Sequence, residues 1–115
     1  FSFGLPVIST DGYSAPELVE DGVRGYVVKN YLSLFDEKFL PWVRTKDEAH
    51  QFYNALIHPP QDYIDRLARR IGQLIEEREP RLAMGENAYE SVTKGMFSPN
   101  RRRECMKEVY TQALL

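Results

Sequence analysis

The first 28 residues, Phe1–Val28, decide the fold: FSFGLPVISTDGYSAPELVEDGVRGYVV. Leu5–Ser9 is a short apolar, β-branched run bounded by turn-forming residues, which predicts a fully buried parallel strand. Gly25–Val28 predicts a second buried strand. Between them a loop leads into a short helix over Pro16–Glu20, because proline and an acidic residue favour a first helical turn. The order strand, loop, helix, strand indicates an α/β fold.

The last half of the chain predicts three amphipathic helices. The first opens at Pro59-Pro60, and five apolar residues recur along it at helical spacing: Ile64, Leu67, Ile71, Leu74 and Ile75. Charged residues fall largely on its other side: Arg66, Arg69, Arg70, Glu76 and Glu77. The second helix opens at Pro80 and ends at Lys94-Gly95. Its predicted apolar side consists of Leu82, Tyr89 and Val92.

The final helix begins after Ser98, the expected N-cap residue, and runs through Leu114. Its apolar residues at helical spacing are Met106, Val109, Tyr110 and Ala113. Near its start, three consecutive cations occupy positions 101–103, at the positive end of the helix dipole. They are expected to form a solvated face or to contact lipid headgroups or an acidic partner domain.

The middle of the chain, residues 29–57, is rich in aromatic residues: Tyr31, Phe35, Phe39, Trp42, Phe52 and Tyr53. They either fill a core or interdomain surface, or stack on a sugar or lipid. Thr45 and Glu48 have the spacing of a capping box and predict a helix that runs to about Ile57.

Composition excludes several classes of protein. The 115 residues carry a net charge of −2, which disfavours a nucleic-acid module, and no apolar run is long enough to span a bilayer. A single cysteine, Cys105, permits no internal disulfide and favours a reducing compartment. No metal-ligand spacing and no dinucleotide, P-loop, zincin or hydrolase motif is present, so no metal or cofactor is expected. His50 and His58 are expected to be ordinary surface or partly buried residues without a catalytic role.

Phe1–Gly4 predicts the end of a helix, with Gly4 at its C-terminal cap. Because no signal segment precedes the first strand, we expect the chain to begin inside a larger protein. Activity would then depend on residues upstream of Phe1.

The opening sequence, residues 1–28, resembles that of the retaining glycosyltransferases of family 4, the glycosyl transferases group 1, which have the GT-B fold. The resemblance covers residues 1–28 and about 60–115, where Met84–Ala88, Phe97-Ser98 and Glu108–Tyr110 are similar to the closing helices of that family. It implies that residues 1–115 are the C-terminal part of a Rossmann-like donor-binding domain. Residues 29–57 would be an insertion, because family members run almost directly from the second strand into the helices.

The resemblance also implies the function and the site. The parent protein would transfer a sugar, in the manner of a hexosyltransferase and with retention, from a nucleotide-sugar donor to an acceptor that these residues do not specify. The donor-binding residues would be Thr10, Asp11, Gly12, Tyr13 and Glu17. Tyr13 stands where the family usually has a second glycine, and Glu17 is either a donor contact or a first-turn carboxylate that pins the loop. The catalytic residues would lie upstream of Phe1, so this portion alone would be inactive.

The resemblance gives the chain a partner, the N-terminal domain of the same protein, and a cytoplasmic location, with peripheral contact to the membrane as an option. The alternative is a non-catalytic helical module that offers its aromatic segment and final helix to a partner protein. The residues that precede Phe1 would distinguish the two: a Glu-x7-Glu pattern there favours the enzyme.

Overall fold

The computed structural model describes residues 1–33 and 43–115. These ranges contain two parallel strands and five helices. In chain order they are β1 (Val7–Thr10), α1 (Ala15–Val19), β2 (Gly25–Val28), α2 (Lys46–Ile57), α3 (Gln61–Glu76), α4 (Arg78–Thr93) and α5 (Pro99–Ala113). The predicted α/β class, with two short parallel strands followed by helices, is confirmed. The predicted aromatic residues Phe35, Phe39 and Trp42 lie outside the described residues.

The two strands pair in parallel, from Val7 opposite Gly25 to Thr10 opposite Val28. β2 has the predicted bounds and is largely buried, with Tyr26 and Val28 in the small core. The prediction of a fully buried first strand is wrong. β1 starts two residues later than predicted, Val7 is 36% exposed, and its other residues are only partly buried. Among the described residues β1 pairs only with β2, so its other edge has no partner strand to cover it.

Glycines allow backbones to approach closely on both sides of β1. A Cβ atom at Gly25, where φ is 153°, would overlap the backbone of Val7 in the neighbouring strand. A Cβ atom at Gly85 of α4 would overlap the carbonyl oxygen of Gly4, just before β1. Gly4 has a φ of 64°, as expected of a helix-ending glycine. The four residues it closes form a turn, in which Gly4 N–H donates to the Phe1 carbonyl at 2.9 Å.

Three of the four buried residues of α4 are small. Its buried side consists of Met84, Gly85, Ala88 and Ser91. The predicted apolar side is wrong, because Leu82 and Tyr89 are 50% and 49% exposed. The helix also begins at Arg78, with Pro80 inside its first turn. The contact with Gly4 leaves no room for a Cβ atom at Gly85, so this side of the helix must carry a glycine there, and Met84 is its one large buried side chain.

α2 and α5 begin at the predicted caps. In the capping box of α2, Glu48 N–H donates to Thr45 Oγ1 at 3.2 Å and Thr45 N–H donates to Glu48 Oε2 at 2.9 Å. Hydrogen bonds from the backbone N–H groups of Arg44 and Thr45 lower the pKa of Glu48. Ser98 caps α5 by accepting from Arg101 N–H at 3.3 Å. α5 ends at Ala113, one residue before the predicted end.

The orientation of α3 differs from the expected one. None of its residues is fully buried, and three members of its apolar stripe, Ile64, Ile71 and Ile75, are 42%, 44% and 69% exposed. Its arginine side meets the strand pair instead, since the Arg70 guanidinium lies 4.3 Å from the centre of the Tyr26 ring. A cation can cover an aromatic ring while its charged end stays hydrated, so amphipathicity alone did not specify which side faces inward.

The molecule is flat and leaves much apolar surface uncovered. Its dimensions are 49 × 45 × 19 Å, and its radius of gyration is 18.4 Å, whereas about 13 Å is usual for a compact chain of this length. Its accessible surface is 8996 Å², against about 6,500 Å² for a compact protein of this mass. α5 has no buried residue, and its apolar stripe includes Val109 at 58% and Tyr110 at 61% exposure.

The glycine contact between α4 and the turn before β1 gives a stability prediction. Gly85→Ala should lower the free energy of unfolding by about 1–3 kcal/mol, because the added methyl group must displace the Gly4 backbone. Gly72→Ala is the matched control in α3, where a Cβ atom meets nothing within 4 Å. It should raise stability by about 0.5–1 kcal/mol. Urea unfolding followed by circular dichroism measures both, and equal effects of the two variants would contradict the close contact.

Candidate functional site

The predicted site residues follow β1 at the edge where both strands end. Because β1 and β2 are parallel, their carboxyl ends lie at the same edge of the sheet, and Thr10 pairs with Val28 there. Thr10 is partly buried, and residues 11–14 form the loop that leads from it into α1. In open α/β sheets, ligands bind outside the carboxyl ends of the strands. Thr10–Tyr13 therefore lies at the edge where this class of fold places its sites.

Asp11 connects the loop to the chain that leaves β2. Its backbone N–H donates to the Val28 carbonyl at 3.2 Å, which extends the parallel ladder by one bond. Its side-chain Oδ1 accepts from the Asn30 backbone N–H at 2.7 Å. The carboxylate is nevertheless exposed to solvent. Asp11 thus holds two segments together across the carboxyl edge while it stays exposed to solvent.

Gly12 and Tyr13 give the loop its shape. The Gly12 carbonyl accepts from Ala15 N–H at 3.2 Å. A Cβ atom at Gly12 would meet only Thr10 Oγ1, at 3.7 Å, so the space above this glycine is open. Tyr13 has a φ of 52° and is 76% exposed. A bulky residue seldom adopts this left-handed backbone, which glycine adopts freely.

Glu17 stands apart from the other four predicted residues. It lies in the first turn of α1 and is exposed. Its carboxylate has no hydrogen bond or ion pair with the described residues. Its charge still stabilises the start of α1 through the helix dipole.

Sequence reasoning missed Arg24, which braces the turn before β2. Its side chain is only 8% exposed and contacts Glu20 through an ion pair of 2.8 Å. Its Nε donates to the Leu18 carbonyl at 2.9 Å, and its guanidinium lies 5.5 Å from the centre of the Phe97 ring. The spacing of Glu20 and Arg24, four residues apart, was the available signal, but such pairs are usually exposed and weak.

Asn30 and Asp21 were also missed. Asn30 supplies the backbone donor for Asp11, and Asp21 Oδ1 accepts from the Val27 backbone N–H at 2.8 Å. The bond from Asn30 to Asp11 joins residues 19 positions apart, and the bond from Val27 to Asp21 crosses a turn. No local sequence pattern indicates either bond.

The histidine and cysteine side chains of the described residues do not form a metal site. Across residues 1–33 and 43–115, no group of three or more histidine, cysteine or acidic side chains could hold a metal ion. His50 and His58 are exposed, and His58 Nδ1 lies 2.9 Å from the Asn54 carbonyl oxygen of its own helix. Cys105 is a partly buried free thiol. Within the same ranges, no helix combines the length and the apolar character needed to cross a membrane.

Comparison of the chain with protein-family models, with curated proteins and with solved structures finds no match. The class of protein that can be stated from the fold is a small α/β protein with a parallel strand pair and helices packed beside it.

The Asp11 bridge predicts a local change in stability. Asp11→Ala removes the acceptor for the Asn30 N–H, so hydrogen exchange at Asn30 should accelerate about fivefold, the equivalent of about 1 kcal/mol. Asp11→Asn keeps an acceptor oxygen and should restore most of the protection. Glu17→Ala is the control and should leave Asn30 unchanged. Exchange measured by NMR tests this, and the bridge is refuted if Asn30 exchanges equally fast in wild type and Asp11→Ala.

Proposed function

We propose that this chain is the C-terminal part of the donor-binding domain of a retaining GT-B glycosyltransferase of family 4, with an insertion over residues 29–57. In that role it helps to bind a nucleotide-sugar donor at the carboxyl edge of β1 and β2. An N-terminal domain of the same protein supplies the acceptor side and the catalytic residues. The site residues are Thr10, Asp11, Gly12, Tyr13 and Glu17, and no metal takes part.

One observation carries the proposal: the loop that starts at Asp11 leaves β1 at its carboxyl end, Thr10, and keeps a glycine-like backbone at Tyr13. The family resemblance assigns two glycines to this loop, and here the second is Tyr13. Its φ of 52° is the conformation that a glycine would adopt without strain. The replacement therefore changes the side chain and leaves the backbone path compatible with the family pattern. The open space above Gly12 is also consistent with a ligand that approaches the backbone.

The glycines around β1 give further support. Gly4 belongs to the opening 28 residues of the resemblance, and Gly85 belongs to the similar stretch Met84–Ala88 in the closing helices. The structure brings these two residues into backbone contact. Two pieces of the resemblance that are 81 positions apart in the sequence numbering thus meet in one packing contact, as expected of parts of a single domain.

Donor kinetics test this function in the full-length polypeptide that contains the chain. Transfer from a panel of nucleotide sugars is measured, and NMR of the product reports whether the anomeric configuration is retained. Asp11→Ala and Gly12→Val should each lower the ratio kcat/KM for the donor about 5- to 150-fold, the equivalent of about 1–3 kcal/mol. A Cβ at Gly12 meets no close neighbour, so we expect Gly12→Val to fold.

Glu76→Ala and Gly72→Ala on α3 are the controls for a lost charge and an altered glycine, and both should leave donor kinetics unchanged. If no nucleotide sugar in the panel supports transfer, the proposed glycosyltransferase function is wrong. Unchanged donor kinetics in both loop variants would place the donor elsewhere.

A second function, a non-catalytic interaction module, is favoured by the exposed stripe on α5. Met106, Val109 and Tyr110 are 43%, 58% and 61% exposed along one side of this helix. The resemblance offers another explanation for the stripe, because in GT-B enzymes the last helix commonly crosses to the N-terminal domain. Both explanations require that the stripe be covered, but they differ in what covers it.

Tyr110→Asp in the full-length polypeptide separates the two functions. If α5 is an interdomain element, the charge enters an apolar contact and should weaken transfer at least tenfold, while nucleotide binding stays nearly intact. Gln112→Asp places the same charge on another side of α5 and serves as the control. Full transfer activity in Tyr110→Asp would contradict the interdomain role of α5. Absence of transfer in the wild-type polypeptide would instead favour the non-catalytic module, with a partner protein covering the stripe.

A further inference from the structure

A pocket with basic walls lies between the end of β2 and α3. Its volume is about 250 Å³. Four cationic side chains and a glutamine line it together with the last residues of β2: Lys29, Arg66, Arg69, Arg70, Gln73, Val27 and Val28. The whole chain has a net charge of −2, so this concentration of positive charge is local.

Helical geometry explains why these side chains converge. Arg66, Arg69, Arg70 and Gln73 are spaced by three, one and three residues, which places them on one side of α3. That side faces the strand pair, since Arg70 lies over the Tyr26 ring. Lys29 follows β2 directly and closes the pocket from the sheet side. The sequence put the arginines together, and the placement of α3 added the lysine.

The internal partners of these cations are incomplete. Arg66 contacts Asp62 at 2.9 Å, and Arg70 lies 3.7 Å from Asp21 and donates to Gln73 Oε1 at 3.0 Å. Lys29 and Arg69 have no ion-pair partner within the described part of the chain. The four cationic side chains line one concave pocket, whereas charges that only contact solvent are usually spread over a convex surface.

The Nε atom of Arg66 gives a second indication that the pocket binds a ligand. The Arg66 side chain is 41% exposed, but its Nε atom has under 1 Å² of accessible surface and no hydrogen-bond partner among the described residues. A buried donor without an acceptor is costly, and native structures usually satisfy such a group with water, an ion or a ligand. Guanidinium groups bind phosphate oxygens in pairs, through Nε and a terminal nitrogen, so an oxyanion in this pocket would supply the missing acceptor once the partly exposed Arg66 side chain rotates toward it.

We propose that the pocket formed by Lys29, Arg66, Arg69, Arg70 and Gln73 binds a soluble ligand through a diphosphate or a similar group with several negative charges. The volume suits such a group and is smaller than the roughly 300–1,000 Å³ of pockets that enclose a whole drug-sized molecule. The proposal does not rest on the transferase function, because the pocket is built from α3 and the end of β2 and contains none of the residues from Thr10 to Glu17.

Titration of the 115-residue chain with inorganic diphosphate tests the site. Calorimetry should show saturable binding, and NMR should show the Arg66 Nε–H signal shifting as diphosphate is added. The double variant Arg66→Gln, Arg69→Gln should weaken binding at least tenfold, and Lys29→Gln alone should weaken it about threefold. Circular dichroism confirms that each variant is folded, and Lys29→Gln tests the pocket without touching α3.

The matched control is the double variant Arg102→Gln, Arg103→Gln, which removes the same charge from an exposed part of α5. It should bind diphosphate as the wild type does. Equal weakening in the two double variants would show attraction to net charge alone and overturn the site. The proposal is also overturned by the absence of saturable binding, or by binding to vesicles with 30% phosphatidylserine that needs Arg66 and Arg69 while free diphosphate does not bind.

Discussion

The backbone contact between β1 and β2 is the constraint on which the rest of this structure depends. Gly25 lies so close to Val7 that a Cβ atom at that position would overlap the neighbouring strand. Glycine gives up conformational entropy to order there, and the parallel ladder from Val7–Gly25 to Thr10–Val28 compensates for it. Because the strands are parallel, the chain leaves both of them at one edge. The loop around Asp11, Asn30 and the basic pocket are consequences of that arrangement.

A second close approach, between Gly4 and Gly85, explains how α4 is placed. Small residues along one side of the helix let its backbone approach the turn before β1. Asn87 Nδ2 donates to the Val23 carbonyl at 3.0 Å and adds a polar contact to the same part of the molecule. Leu82 and Tyr89 are thereby directed outward, whereas Met84 is buried. The resulting core is small, with Val19, Tyr26, Val28, Met84 and Ala88 as its buried apolar residues in the described ranges.

Two arginine side chains pack against aromatic rings at positions where a larger core would have apolar residues. Arg24 fills the space beside Phe97 while its guanidinium bonds to Leu18 and Glu20. Arg70 covers the Tyr26 ring from the side of α3. The long aliphatic portions of these residues can pack, and their charged ends still reach water or an anion. Both ends of β2 thus combine packing with positive charge, and Arg70 carries this combination into the proposed diphosphate site.

The sequence by itself determined the local elements: the second strand, the capping box of α2, the Ser98 cap of α5 and the existence of every helix. These depend on contacts between near neighbours, so spacing and cap residues suffice to predict them. It also placed Asp11–Tyr13 after a parallel strand, although Thr10 belongs to the strand itself. Only the tertiary structure decided the exposure of β1, the inward side of α3 and the buried side of α4. β1 has no second partner strand among the described residues, Arg70 of α3 packs on Tyr26, and Gly85 of α4 lies against Gly4. No periodic pattern encodes these contacts. Likewise the bond from Asn30 to Asp11, 19 residues apart, and the meeting of Lys29 with the arginines of α3 arise only when the chain folds.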